Sequence, residues 1–223
     1  MKAQAAVGAR PGTGASLPAM ADRTRLTLVR HGETSANLTG VWHGSTDTPL
    51  SERGRRQAER VAEHLAATCS GAVALYASPL QRALHTAEAI GRALRLEPQL
   101  EPGITEFDLG SWEEKTYREL AETHRLWQNM AADPDFAPHG GESARDVVLR
   151  FHASLERMQA DHPGERVILV SHGGAMAIAL GALLRGQLGQ WYEPMHNCAV
   201  SELVLEPEPA LLRFNAHEHL EGI

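Results

Sequence analysis

Two cysteines, Cys69 and Cys198, are all that the 223 residues contain. That excludes the disulfide framework of a small secreted domain and fits a reducing, cytoplasmic setting. A basic excess is missing too. Lys and Arg number 21 against 28 Asp and Glu, a net charge of -7, so the chain is not a general nucleic-acid binder, whose surface would be basic. Any attraction for an anion must then be local to a pocket. No apolar run reaches the ~20 residues of a membrane span. The Gly12-Thr13-Gly14 triplet lacks the Gly-Lys-Ser/Thr ending of a P-loop, and no internal repeat is visible.

Residues 1–21 are rich in Ala, Gly and Pro and lack an apolar signal core. They read as a disordered leader or a mis-assigned start, with Met20 as an alternative initiator. The remainder, 22–223, is expected to be one domain, long enough to bury a sizeable core.

The pattern that carries chemistry is Arg30-His31-Gly32-Glu33-Thr34, directly after the apolar run Leu26-Thr27-Leu28-Val29. A β-branched and leucine run that stops at glycine reads as a buried strand ending in a tight turn. A second run, Val167 to Val170, ends the same way in Ser171-His172-Gly173-Gly174. A third, Val73 to Ala77, runs into Ser78-Pro79-Leu80-Gln81-Arg82. Open α/β sheets bind ligands at the carboxyl ends of their strands, so these arginines and histidines point to one shared site. Clustered cations are costly unless an anion compensates them. The planar guanidinium fork matches phosphate oxygens, so Arg30 and Arg82 read as clamps on a phosphoryl group. Like charge beside a histidine pushes its pKa down, and a neutral imidazole can act as a nucleophile.

The rest of the chain alternates strands and helices. Strand one spans about 24–30, and a loop carrying Asn37 to Pro49 follows. Ser51 is placed to cap a helix with Ala58, Val61, Ala62 and Leu65 on its inner face. Strand two is 73–77, followed by a helix over 80–95. Residues 96–104 carry two prolines and read as extended or loop-like. The spacing predicts helices over 113–130 and 143–160, a strand at 166–171 and an alanine-rich helix over 174–185. Two late segments, 198–205 and 211–216, read as edge strands. The expected architecture is α/β, a three-layer sandwich with a mostly parallel central sheet and helices on both faces.

These motifs resemble the histidine phosphatase superfamily, also called the phosphoglycerate mutase-like family. The resemblance runs from Arg30-His31-Gly32-Glu33-Thr34 with Asn37 through Gly44, Asp47-Thr48-Pro49-Leu50-Ser51, Gly54 and Gln57-Ala58. It continues in Ser78 to Ala83 with Thr86-Ala87, in Glu106, Gly110 and Trp112-Glu113, in Gly141-Glu142-Ser143, and in Ser171-His172-Gly173-Gly174. The resemblance implies that His31 is the phosphorylated histidine. It implies that Arg30, Arg82, His172 and Gly173 hold the phosphoryl oxygens, that Glu106 donates the proton to the leaving group, and that Asn37 contacts phosphate or substrate. It implies no metal and no cofactor. The implied activity is hydrolysis of a small-molecule phosphate ester through a phosphohistidine, by a monomer or homodimer. A phosphoglycerate mutase is the alternative within the family. A non-catalytic phosphoryl-binding regulatory protein is the alternative outside enzymology, disfavoured because all five matched catalytic residues are present.

Two departures mark the substrate side. Relatives carry arginine and glutamine where this chain has Val41 and His43, and glycine where it has Glu114. Trp42 and His43 are candidate pocket residues in the loop after the first motif. Glu114, if it points inward, would disfavour a second negative group at the entrance. Tyr117 and Trp127 read equally as core or as pocket wall. His217-Glu218-His219 has a spacing that invites a metal, with a solvated tail as the simpler reading. Cys198 reads as a small apolar strand residue.

Overall fold

The computed structural model describes residues 23–223, so the leader expected at 1–21 lies outside the described residues. A six-stranded sheet organises them, in the spatial order β3-β2-β4-β1-β5-β6. The strands are β1 (Arg25–Arg30), β2 (Ala72–Ala77), β3 (Pro98–Leu100), β4 (Arg166–Ser171), β5 (Val200–Val204) and β6 (Ala210–Ala216). Pairs β1–β4, β2–β4 and β2–β3 are parallel, whereas β5 runs antiparallel to both β1 and β6. Only β5 is therefore reversed, and the sheet is mostly parallel as expected.

Strand residues alternate between two cores. Leu26, Leu28, Ala74, Tyr76, Val167 and Leu169 face one layer, built from α6 (Ala144–Asp161) and α7 (Gly173–Arg185). Val29, Leu75, Ala77, Ile168 and Val170 face the other, built from α2 (Glu52–Thr68) and α3 (Gln81–Leu94). Continuous apolar strands are what a sheet covered on both faces requires. Each fully buried Leu, Ile or Val contributes about 1.5–3 kcal/mol, so these strands stabilise both layers at once. Ser51 caps α2 by accepting from Gly54 N at 2.9 Å, and the expected inner face of Ala58, Val61, Ala62 and Leu65 is buried.

Three expectations are corrected, and the extended reading of 96–104 resolves in part into a strand. The segment after β1 is not all loop: α1 (Ser35–Thr39) forms there, closed by a reciprocal capping box between Thr34 and Asn37. Residues 98–100 form the edge strand β3, because Pro98 sits at its first position, where a missing N–H is tolerated. The helix expected over 113–130 is two, α4 (Tyr117–Glu122) and α5 (Leu126–Ala132). Thr116 and Glu119 cap α4, and the chain breaks at Arg125, which adopts a left-handed φ of 49°. Of the two late strands only β6 is an edge. β5 lies inside the sheet and starts at Val200, since Cys198 takes a left-handed φ of 54°.

The topology positions the site. β1 leads through α1 to α2 on one face, while its neighbour β4 leads directly to α7 on the other. Connections that diverge to opposite faces leave a crevice at the carboxyl ends of the two strands. The register pairs Arg30 with Ser171, so His31 and His172 emerge side by side.

Candidate active site

A cavity of about 320 Å³ opens at that crevice, and Arg30, His31, Asn37, Trp42, His43, Arg82, Glu106 and Gly173 all line it. A larger one, about 590 Å³, lies at the opposite end of the sheet beside Thr24 and Gly164. It holds none of the residues singled out in the sequence, and the chemistry belongs to the smaller cavity.

His31 is 3% exposed. Its Nδ1 lies 2.7 Å from the Gly32 carbonyl oxygen. A carbonyl accepts only, so Nδ1 carries the proton and Nε2 keeps its lone pair. Burial first, then the charges of Arg82 and Arg30, hold the His31 pKa well below its ordinary value, with the Gly32 bond opposing. The His31 backbone is pinned from β5's approach: its carbonyl accepts from Asn197 Nδ2 at 3.0 Å and Cys198 N at 3.3 Å.

Arg30 donates Nη1 to the Met195 carbonyl at 2.5 Å, and its buried Nε has no protein partner. Arg82, 2% exposed, is committed differently from the simple clamp the sequence implies. It donates to the carbonyls of His43, Gly44 and Thr46 at 2.8–2.9 Å. The Glu113 carboxylate takes the amides of Ser45 and Thr46 in the same loop, at 2.6 and 3.0 Å. One cation and one anion thus saturate opposite polarities of the loop, and two of Arg82's five N–H groups remain available.

Glu106 sits over the first turn of α7. Its carboxylate accepts from Ala175 N at 2.6 Å, Phe107 N at 2.8 Å and Gly174 N at 3.0 Å. The helix start favours a negative group there. Arg150 holds the segment that carries Glu106, donating to the carbonyls of Gly103, Thr105 and Glu106 while paired with Glu142.

His172 is placed deeper than expected. Its ring is fully buried and does not line the cavity; it lies 5.1 Å from the His31 ring, centroid to centroid. Nε2 meets Ser78 Oγ at 2.7 Å, and Nδ1 has no protein partner. Burial, then Arg82 and His31, depress its pKa well below the ordinary value.

Asn37 lines the cavity with a fixed amide. Its Oδ1 accepts from Thr34 N, Thr34 Oγ1 and Asn197 Nδ2 at 3.1–3.2 Å, which leaves Nδ2 as the group able to donate to a ligand. Trp42 both lines the cavity and packs, donating Nε1 to the Phe107 carbonyl at 3.2 Å. His43 also lines it, its Nδ1 held against Thr48 Oγ1. Glu33, inside the first motif, is not a cavity residue. It ties the motif to α2 through Ser51 and Arg53.

Sequence reasoning missed Trp191, Pro194 and Asn197, which also line the cavity. They lie in an irregular segment between α7 and β5 without a motif, and nothing local marks them. Tyr117 is a cavity residue, whereas Trp127 packs edge-on against Trp191 behind the wall. Glu114 does not point inward: it is exposed, off the cavity, with a left-handed φ of 66° that explains why glycine suits the position. His217 and His219 do not share a ligand. One packs on His196 at 4.2 Å, the other stacks on His64 at 4.5 Å and meets the Cys198 carbonyl at 3.0 Å.

Comparison with known proteins adds an independent finding. The family model described as histidine phosphatase superfamily (branch 1) matches residues 26–217. A probable phosphoglycerate mutase GpmB of Cronobacter sakazakii is 34% identical over 191 residues, 82% of this chain and 86% of that one. A glucosyl-3-phosphoglycerate phosphatase of Mycobacterium tuberculosis is 35% identical over 179 residues, 75% of this chain and 78% of that one. Among solved structures, mycobacterial glucosyl-3-phosphoglycerate phosphatase in complex with VO3 superposes with a TM-score of 0.75 at 31% identity, covering 87% of this chain and all of its own. Phosphoserine phosphatase from Entamoeba histolytica, in complex with 3-phosphoglyceric acid, superposes at 0.77 with 29% identity, covering 88% and 99%.

Proposed function

The chain belongs to the histidine phosphatase superfamily, and from that premise we propose that the cavity hydrolyses small phosphomonoesters through a phosphohistidine on His31. The observation that carries this reading is the His31 imidazole, held neutral by burial and two arginines, oriented by Gly32, and sharing one cavity with Glu106.

Arg30 Nε, Asn37 Nδ2 and the remaining N–H groups of Arg82 take the phosphoryl oxygens. His172, its ring 5.1 Å from that of His31 and off the cavity surface, keeps its proton on Nδ1 when Nε2 accepts from Ser78, and backs the phosphoryl site from behind His31. His31 Nε2 attacks phosphorus in line, and the bond to the leaving oxygen breaks as Glu106 delivers a proton to it. Water then attacks phosphohistidine, giving its proton to Glu106, and phosphate leaves with His31 regenerated. Positioning and charge stabilisation supply most of the rate, as is general for phosphoryl transfer.

The relatives' names include both phosphatases and a probable mutase, so the two outcomes need separation. A mutase must retain and reorient a bisphosphorylated intermediate, which calls for further cations and exclusion of water. Between Tyr117 and Gly140 the chain offers only Arg118 and Arg125, and neither lines the cavity. Hydrolysis is therefore the favoured fate. The enzyme acts as a monomer or homodimer, and the free, buried Cys69 and Cys198 suit the cytoplasm. Among the described residues no helix is long and apolar enough to cross a membrane. Incubation with 3-phosphoglycerate and a 2,3-bisphosphoglycerate primer tests the assignment: inorganic phosphate should exceed 2-phosphoglycerate. Efficient isomerisation with little phosphate released would overturn it.

A further inference from the structure

We propose that the site selects phosphate esters whose alcohol portion is uncharged and presents a ring or alkyl face. This rests on the phosphatase reading and deepens it.

The cavity lining is of two kinds. His31, Arg30, Arg82 and Glu106 carry the groups assigned to the phosphoryl group. Much of the rest is aromatic. Trp42 lies 5.5 Å from Tyr117 and 5.8 Å from Trp191, centroid to centroid and edge to face, and Val41 and Pro194 extend it. Among the described lining residues, Arg30 and Arg82 are the only permanent cations. Both are already committed, Arg30 to the Met195 carbonyl and Arg82 to three loop carbonyls. What each has left is needed for the phosphate dianion. Lys115 and Arg118 flank Tyr117 in sequence, yet neither reaches the cavity lining.

A carboxylate or second phosphate on the alcohol would be desolvated here with no permanent cation left to pair with it, His43 being the one further titratable base in the lining. It would meet aromatic π-faces, whose quadrupole is negative. Burying an unpaired charge is strongly unfavourable. A neutral alcohol meets the opposite balance. Its C–H or ring face covers the aromatic wall, and its hydroxyls can use Asn197 and Thr34, both of which line the cavity.

The test uses two matched pairs of synthetic esters. Phenyl phosphate and 4-(carboxymethyl)phenyl phosphate differ in charge with similar leaving groups. Cyclohexylmethyl phosphate and ethyl phosphate differ in apolar face. The neutral aryl ester should show a kcat/KM about tenfold or more above its carboxylate partner, and the cyclohexylmethyl ester a similar advantage over ethyl phosphate. A cation placed on the wall by Val41→Arg, or at the half-exposed rim by Tyr117→Arg, should narrow the first ratio by raising turnover of the carboxylate ester relative to phenyl phosphate. Equal or inverted efficiency in either pair overturns the selectivity while leaving the phosphatase intact. A ratio that neither arginine variant narrows, with at least one shown folded by circular dichroism, does the same. Failure to release phosphate from any of the four esters overturns the phosphatase reading and this inference together.

Discussion

The His31 imidazole rests on its own neighbour: Nδ1 is 2.7 Å from the Gly32 carbonyl, and that bond alone determines which ring nitrogen can attack. Gly32 can bring its carbonyl there because its α-carbon is packed against α2, where an added Cβ would stand 2.5 Å from the Gly54 carbonyl oxygen. Enzyme quenched during turnover should therefore carry phosphate on His31, labile to acid and stable to alkali. His31→Ala should lose about 10³-fold or more in kcat. Label recovered on a serine would refute the assignment.

The depressed pKa values of His31 and His172 make stability pH-dependent with a definite sign. Both groups bind a proton less readily folded than unfolded, where the ordinary value is 6.5. The unfolded chain then binds more protons below that value, so unfolding becomes easier as pH falls. Their contribution is fully present above pH 6.5 and is lost progressively on acidification from there through the folded pKa values. The melting temperature should fall on that limb, and His31→Asn should flatten the slope. A slope identical in variant and wild type would show that His31 is not held neutral by the fold.

Glu106 as the proton donor should matter in proportion to the leaving group's need for a proton. Glu106→Gln keeps the shape but supplies no proton. It should reduce turnover of an alkyl phosphate by about 10²–10⁴-fold, and that of 4-nitrophenyl phosphate far less. Equal losses on both substrates would mean that the carboxylate binds or supports rather than donates.

Gly174 separates the position of that carboxylate from its identity. A Cβ there would stand 2.7 Å from Glu106 Oε1 and 2.5 Å from Trp42 Cη2. Gly174→Ala must push the acid or the indole aside while leaving both residues in place. A displacement on the order of 1 Å can cost about 10²-fold, and the loss should again be greater for alkyl than for 4-nitrophenyl esters. Unchanged kinetics would show that the acid tolerates this displacement.

The local part of this protein was legible in its residues. Apolar runs ending at glycine located β1 and β4, Ser51 capped the helix it precedes, and the motif histidines and arginines fell at strand ends. Such signals survive because they depend on a few neighbours: a cap bonds three positions on, a strand alternates between two faces. The single helix expected over 113–130 failed for the same reason. Its break rests on a left-handed Arg125 with Asn129 Nδ2 donating to the His124 carbonyl, a geometry that no spacing announces.

What the sequence alone determined was the inventory: which groups carry charge, which strands end in them, and which chemistry the set can perform. Tertiary structure decided where each group stands. Pairing of β5 with β1 brings Asn197 onto the His31 carbonyl and Asn37 across separations of 166 and 160 residues. Burial removes His172 from the cavity surface, and the loop at 43–46 claims three of Arg82's donors. Contacts between distant segments are settled by sheet order and by the need to satisfy every buried polar group, and neither is written in any stretch of neighbouring residues.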